Sequence, residues 1–203
     1  LREVKRDFLT SEELLLIENK NILIERLAMV RDAFVFSCYT GLAYADISTL
    51  THDNIVKGID GEWWIKTFRT KTDTRTNIPL LPKAVEIMEK YQNHPYALAK
   101  NKVIPMSSNQ KMNTYLKELA IICGIEKNLT YHLARHTFAT TVTLTNGVPI
   151  ESVSQMLGHT NIKTTQIYAK VVERKVSEDM KLLKERLLSN IKPSENEHSN
   201  NYI

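Results

Sequence analysis

Apolar residues recur at helical spacing along most of the chain, and capping or breaking residues bound each run. The capping box Thr10-Ser11-Glu12-Glu13 precedes the apolar run Leu14–Ile17 and predicts the start of a first helix. Apolar positions between Ile22 and Tyr39 repeat every three or four residues and predict a second helix that Gly41 ends. Further helices are predicted over residues 45–50, 82–94, 109–123, 131–146, 149–157, 160–168 and 173–190.

The period changes in the middle of the chain, where short stretches are typical of strands. Residues 54–56, 63–65 and 76–79 are the predicted strands, and the segment 58–61 and a polar turn at Thr72-Asp73 join them. The last residues, 191–203, are polar and predict a disordered tail. The sequence therefore predicts an α+β fold, in which a mostly helical domain over residues 1–190 carries one small three-stranded antiparallel sheet.

Composition agrees with a folded domain and removes several classes of protein. The chain has 203 residues, of which 42% are hydrophobic and 25% charged, so a core can offset the entropy of the chain. No stretch approaches the roughly 18 consecutive apolar residues of a membrane span. Cys38 and Cys123 lie among apolar residues. We interpret them as reduced core thiols and expect a cytoplasmic protein.

Charge permits an anionic partner without requiring one, because the net charge is only +4. Four cations and one acid lie between Lys66 and Arg75, and eight cations and four acids lie between Lys163 and Lys192. Charge runs of this kind usually form solvated faces. Charge alone therefore assigns no partner.

A group of polar residues with catalytic chemistry lies in the last third of the chain. His132, Arg135 and His136 are spaced i, i+3 and i+4, which puts them on one helix face. Two such histidines can bind zinc, but Leu133 stands where a metalloprotease helix has glutamate, and the guanidinium would repel a metal ion. A guanidinium fork beside a proton carrier instead favours an oxyanion site. A polar helix face packed on a loop is the alternative interpretation.

Two more segments carry candidate residues. His159 lies between two predicted helices, and Tyr168 follows near the end of the second helix, where a tyrosine is usually a core residue. The segment 146–169 also has the pattern of a helix-turn-helix, which would bind the major groove of DNA and need no catalytic residue. Lys71 lies near the tip of the predicted hairpin, where it is either a solvated turn residue or able to reach into a groove.

Taken in this order, the segments resemble the catalytic domain of the tyrosine recombinases, also called the phage integrase family. The resemblance covers roughly residues 10–186, and the motifs that carry it are Lys71, His132–Thr140, Leu157–His159 and Tyr168. It implies catalytic roles for Lys71, His132, Arg135, His159 and Tyr168. It also implies no cofactor or metal ion, double-stranded DNA as the partner, a tetrameric synapse of identical subunits on that DNA, and a bacterial cytoplasmic location. The N-terminal domain that clamps DNA in such enzymes is expected to be absent from this fragment.

The implied reaction is cleavage of a DNA strand by transesterification. Tyr168 would attack the phosphate and form a 3′-phosphotyrosine, which keeps the bond energy for religation. Arg135 would hold the non-bridging oxygens, Lys71 would protonate the departing 5′ oxygen, and His132 and His159 would act as bases or donors. A type IB topoisomerase uses the same chemistry without exchanging partners. A helix-turn-helix protein would bind DNA and form no covalent product.

One position departs from the family pattern. The family's first arginine is replaced by Ala43, while Asp46 stands where the following acid should be. A subset of integrases from conjugative transposons resembles this sequence in lacking that arginine, so we expect another arginine to substitute. Arg31, on the helix that leads into this turn, is the first candidate for a phosphate contact, and an ion pair with Asp32 is the alternative. Arg69, on the same strand face as Lys71, is the second candidate.

Overall fold

The computed structural model describes residues 7–169 and 173–189 and has the expected α+β architecture. The α-helices are α1 (Ser11–Asn19), α2 (Glu25–Thr40), α3 (Tyr44–Thr49), α4 (Pro82–Tyr91), α5 (Pro95–Ala99), α6 (Asn109–Cys123), α7 (Tyr131–Thr137), α8 (Ile150–Met156), α9 (Lys163–Ala169) and α10 (Glu173–Ser189). The strands are β1 (Ile55–Lys57), β2 (Trp63–Phe68) and β3 (Arg75–Pro79). They form one antiparallel sheet in the order β1-β2-β3, which confirms the predicted hairpins.

Helix α2 lies at the centre of the main core and packs against α1, α4, α6 and α7. Leu27, Val30 and Phe34 are buried along it, which confirms the predicted apolar stripe. The helix ends at Gly41, whose φ of +70° is in the left-handed region. A Cβ at this glycine would lie 2.5 Å from Cδ1 of Phe138. Both the backbone and the packing therefore require glycine at this turn, and the turn places the Gly41 carbonyl beside α7.

The helix predicted over residues 82–94 ends three residues early, and a second short helix follows it. It ends at Tyr91, and Pro95 begins α5 within the segment that was predicted to be a loop. Proline suits the first position of a helix because its missing N–H would have no partner there. Ala97 of α5 is buried. The sequence signal for this second short helix is thus the proline.

The helix predicted over residues 131–146 is continuous, but its winding changes twice. After α7 the chain forms a π-helical segment, Phe138–Thr143, and then a 3₁₀ turn, Leu144–Asn146. Threonine side chains satisfy carbonyls along this segment: Thr140 Oγ1 donates to the His136 carbonyl over 2.7 Å, and Thr143 Oγ1 donates to the Phe138 carbonyl over 2.8 Å. Helical periodicity could not distinguish π from α winding here.

A second, smaller core joins the π-helical segment to α8 and α9. Its buried members are Phe138, Ala139, Leu144, Val153, Leu157 and Tyr168. The helix containing Tyr168 does not begin at residue 160, contrary to the prediction. That helix begins at Lys163, whose backbone N–H donates over 2.9 Å to Oδ1 of Asn161. The small core fixes Tyr168 against the segment that carries the polar residues of α7.

Helix α10 confirms the predicted last helix to within one residue. Its exposed apolar side chains include Leu182, Leu183, Leu187 and Leu188. Within the described residues, no helix is both long enough and apolar enough to cross a bilayer. The predicted disordered tail, residues 191–203, lies outside the described residues.

Candidate active site

Arg135 lies at the centre of the site and is 5% exposed. Its Nη1 donates to the Gly41 carbonyl over 2.6 Å, and its Nη2 donates to the Leu157 carbonyl and lies 3.1 Å from Nε2 of His159. Three segments that are distant in sequence therefore meet at one guanidinium. Burial, and then the neighbouring Arg69, lower the pKa of Arg135 to about 9.

His159 is held in one tautomer by its two partners. A guanidinium can only donate, so Nε2 of His159 accepts from Arg135 and carries no proton. The ring proton is therefore on Nδ1, which donates to Oγ1 of Thr165 over 2.8 Å. Arg135 and His159, both predicted site residues, are thus joined by a hydrogen bond.

Tyr168 is buried, and its hydroxyl faces α7. The Oη atom lies 2.7 Å from Nδ1 of His136, which is buried as well. The His136 ring packs edge-on against the exposed ring of His132, with 4.2 Å between centroids. The proximity of Tyr168 also favours the charged form of Arg135. No role was predicted for His136, although its position beside Arg135 and one turn after His132 was visible in the sequence.

Arg69 lies next to Arg135 and uses the same acceptor. Its Nη1 donates to the Leu157 carbonyl over 2.9 Å, and its Nε lies 3.7 Å from Oδ2 of Asp46. The same Oδ2 accepts from the backbone N–H of Ala43 over 3.3 Å. Asp46 therefore links Arg69 to Ala43, the position at which the family pattern has its first arginine.

Gly158 makes room for Arg69. Its φ of +61° is in the left-handed region, which already favours glycine. A Cβ at this position would lie 2.7 Å from Cδ of Arg69 and 2.6 Å from Cγ2 of Thr76. Gly158 thus allows the β2–β3 hairpin to approach α8.

Arg31 lies in a different cluster. Its Nε is 2.8 Å from Oδ1 of Asp32, and its Nη1 donates to the Lys20 carbonyl over 2.6 Å. The buried Asp32 carboxylate also accepts from Lys90 over 2.6 Å and from the Tyr91 hydroxyl over 2.8 Å. The structure thus favours the ion-pair interpretation of Arg31 over the predicted phosphate contact.

Lys71 is exposed in the β2–β3 turn. The turn is anchored one residue earlier, where the Thr70 N–H donates to Oδ1 of Asp46 over 2.9 Å. Within the described part of the chain, no hydrogen bond or ion pair joins Lys71 to Arg135, His159 or Tyr168. The structure therefore brings together Arg135, His159, Tyr168 and Arg69. It leaves Lys71 outside this group. No cluster of three or more His, Cys, Asp or Glu side chains in the described ranges is arranged to hold a metal ion.

Residues 8–175 match the model of the phage integrase family. The chain belongs to this family. Tyrosine recombinase XerD of Halalkalibacterium halodurans is 36% identical over 110 residues, which are 49% of this chain and 36% of that protein. The crystal structure of XerA recombinase superposes with a TM-score of 0.68 at 24% identity, covering 86% of this chain and 64% of that one.

A second integrase-family structure, the XerH site-specific recombinase bound to palindromic difH substrate, has a TM-score of 0.66 at 17% identity. It covers 88% of this chain and 53% of that chain. This chain thus spans roughly one half to two thirds of the recombinase structures and about one third of the XerD relative. These structures confirm the predicted fold, and the comparisons give no support to the helix-turn-helix alternative.

Proposed function

We propose that this integrase-family chain is the catalytic domain, over residues 1–190, of a site-specific recombinase that cleaves and rejoins double-stranded DNA. The observation that carries the proposal is the convergence of Arg135 and Arg69 on the Leu157 carbonyl, with His159 bonded to Arg135 and Tyr168 buried beside them. This combination supplies a phosphate clamp and an oxygen nucleophile in one place. The names of the relatives support the same reaction, and the XerH structure contains a DNA substrate.

The two guanidiniums form the phosphate site. Backbone carbonyls of Gly41 and Leu157 hold them from behind, and these carbonyls carry only partial charges. In the described part of the chain, the buried Nε of Arg69 has no hydrogen-bond partner. A phosphate supplies the anionic charge that the backbone carbonyls lack. Arg69 thus takes the place of the arginine missing at Ala43, and it stabilises the charge that grows in the pentavalent transition state.

The remaining groups move protons. Tyr168 attacks phosphorus and becomes the 3′-phosphotyrosine, while Lys71 swings in on the hairpin and protonates the departing 5′ oxygen. His132 at the exposed edge donates to a non-bridging oxygen, and His159 accepts from Arg135 and orients the guanidinium that holds the phosphate. Positive charge comes from side chains throughout, so the reaction requires neither a cofactor nor a metal ion.

Strand exchange sets the assembly. Two duplexes contain four strands, and each nucleophilic tyrosine can cut one strand, so complete exchange between them requires four copies of the domain. We therefore propose a tetrameric synapse on DNA. A bacterial enzyme acting on DNA would work in the cytoplasm, and we propose that location.

The experiment is incubation with suicide duplexes made from the ends of the DNA element that encodes the protein. A covalent adduct is expected from the wild-type chain and none from Tyr168→Phe, with DNA binding nearly unchanged because only one hydroxyl is lost. Tyr131→Phe is the matched control. The Tyr131 hydroxyl is buried against Sδ of Met106, and burial raises its pKa, so this variant should still form the adduct.

Three other results would overturn the proposal. Binding without an adduct from any variant would favour a non-catalytic DNA-binding protein. An adduct that still forms with Tyr168→Phe and is lost with Tyr131→Phe would show that Tyr131, and not Tyr168, is the nucleophile. Relaxation of supercoiled DNA without any exchange of strands between duplexes would favour a topoisomerase.

A further inference from the structure

His136 is the closest titratable group to the Tyr168 hydroxyl for which a hydrogen bond is found in the described residues. Arg135 and His136 are consecutive in α7, and their side chains diverge. The guanidinium reaches the Leu157 carbonyl, whereas the imidazole Nδ1 lies 2.7 Å from Oη of Tyr168. Both rings of the Tyr168–His136 pair are only 4% exposed. Of these two neighbouring residues, Arg135 thus lies at the proposed phosphate site and His136 lies at the nucleophile.

The nucleophile needs a place for its proton. A free phenol has a pKa of about 10, so near neutral pH it holds its proton and is a weak nucleophile. A base that removes the proton must lie within about 2.6–3.2 Å of the hydroxyl oxygen. The His136 contact is within that range.

The other histidines are directed elsewhere in this arrangement. His159 points Nε2 at Arg135 and Nδ1 at Thr165, which fits a role in orienting the guanidinium. The His132 ring is exposed and packs on the ring of His136. It therefore lies one ring farther from the hydroxyl, on the side of solvent.

We propose that His136 is the base that accepts the phenolic proton of Tyr168, an assignment that rests on the recombinase function proposed above. As the Oη–P bond forms, the O–H bond breaks, its electron pair stays on Oη, and the proton moves to Nδ1 of His136. At the opposite side of phosphorus the P–O5′ bond breaks, and Lys71 gives a proton to O5′. Religation reverses both transfers, and His136 returns its proton to the tyrosine. His132 faces the ring that becomes charged.

A buried hydroxyl needs a hydrogen-bond partner in any protein, so the test must separate a base from a structural partner. His136→Asn keeps a polar group near the position of Nδ1 but cannot take up a proton. If His136 is a base, this variant should therefore lose cleavage activity even where the hydrogen bond is kept. His136→Gln is the second variant, and melting temperature and DNA affinity are measured for both. His94→Asn is a matched control, because the His94 ring packs against Tyr91, at the end of α4.

The assay compares two suicide duplexes, one ordinary and one with sulfur at the bridging 5′ position. A thiolate leaves without protonation, so the sulfur substrate removes the need for an acid and not the need for a base. Lys71→Ala should be slow on oxygen and restored on sulfur. His136→Asn should be about 10²-fold slower on both substrates, a typical contribution of general base catalysis.

A fluorinated tyrosine at position 168 provides the decisive rescue, because its more acidic phenol depends less on a base. In either folded His136 variant it should restore adduct formation at least tenfold relative to ordinary tyrosine. A folded variant that cleaves at the wild-type rate, or that fluorotyrosine fails to rescue, would overturn the assignment. No adduct from the wild-type chain would instead overturn the proposed function, so the two failures are distinguishable.

Discussion

Two arginine clusters in the molecule differ in how their charge is balanced. Around Arg31, the buried Asp32 carboxylate accepts from Arg31, Lys90 and Tyr91. The small cavity of about 50 Å³ beside them is lined by equal numbers of charges, the cations Arg31, Lys83 and Lys90 and the acids Glu18, Asp32 and Glu86. The opposite charges of this cluster largely balance one another, so it has little need of an anionic ligand.

Around Arg135 the balance is different. Arg135 and Arg69 both donate to the Leu157 carbonyl, and the nearest carboxylate, Asp46, is 3.7 Å from Nε of Arg69. Two guanidiniums therefore share one carboxylate and several carbonyl dipoles. An incompletely balanced buried charge is costly, and an anion removes that cost. The comparison shows that the charges around a buried arginine, and not its burial, indicate whether the arginine is available to bind a phosphate.

The largest effect is expected from Arg135. Arg135→Ala should slow adduct formation by about 10³-fold, because a phosphate donor is lost at the transition state. Arg135→Lys keeps the charge and loses the planar fork, so most of the defect should remain. Single-turnover cleavage measures both variants, with DNA affinity as the control. Equal rates for Arg135→Lys and the wild type would show that charge alone suffices.

The balanced cluster should affect stability instead. Asp32→Asn removes the anion between Arg31 and Lys90 and should lower the free energy of unfolding by about 3 kcal/mol, as when a buried ion pair loses one partner. Urea denaturation measures this loss. The cleavage rate of the folded fraction should not change. A stable Asp32→Asn variant with impaired cleavage would contradict the division between the two clusters.

The smallest effect concerns the free anion site. Sulfate at ten times its dissociation constant should stabilise the domain by about 1.4 kcal/mol. Burial and Arg69 lower the pKa of Arg135 to about 9, so the free guanidinium loses its charge above that pH. The sulfate increment in melting temperature should therefore shrink between about pH 7 and about pH 10. Arg69→Ala removes the repelling cation and should move this loss to higher pH. An increment that does not change with pH would contradict the unbalanced site.

Sequence spacing was sufficient to identify the site residues that act through their side chains. Arg135, His159 and Tyr168 were identified from their order and meet in the fold, and the helical and strand periods predicted the elements that carry them. The Leu157 carbonyl was unpredictable, because every residue has one and only the fold directs it. His136 was missed because helical period places a histidine on a face without showing which side chain opposes it.

The choice between Arg31 and Arg69 shows the same limit. Arg31 lies on the helix that leads into the turn before Ala43, where the family's first arginine is missing. Its donors, however, face Asp32 and the Lys20 carbonyl. Arg69 is more distant in sequence, and the hairpin brings it to Asp46, the carboxylate that also binds the Ala43 N–H. Proximity in sequence favoured the first arginine, whereas the tertiary contact between hairpin and α8 favours the second.

One paired measurement tests the central claim, namely the adduct formation rates of Arg69→Ala and Arg31→Ala on one suicide duplex. Arg69→Ala should be about 10²-fold slower than the wild type with little change in melting temperature. Ala43→Arg in the same chain should restore part of that loss. Arg31→Ala should melt at lower temperature and cleave at the wild-type rate while folded. A slow, stable Arg31→Ala beside a fully active Arg69→Ala would contradict the account.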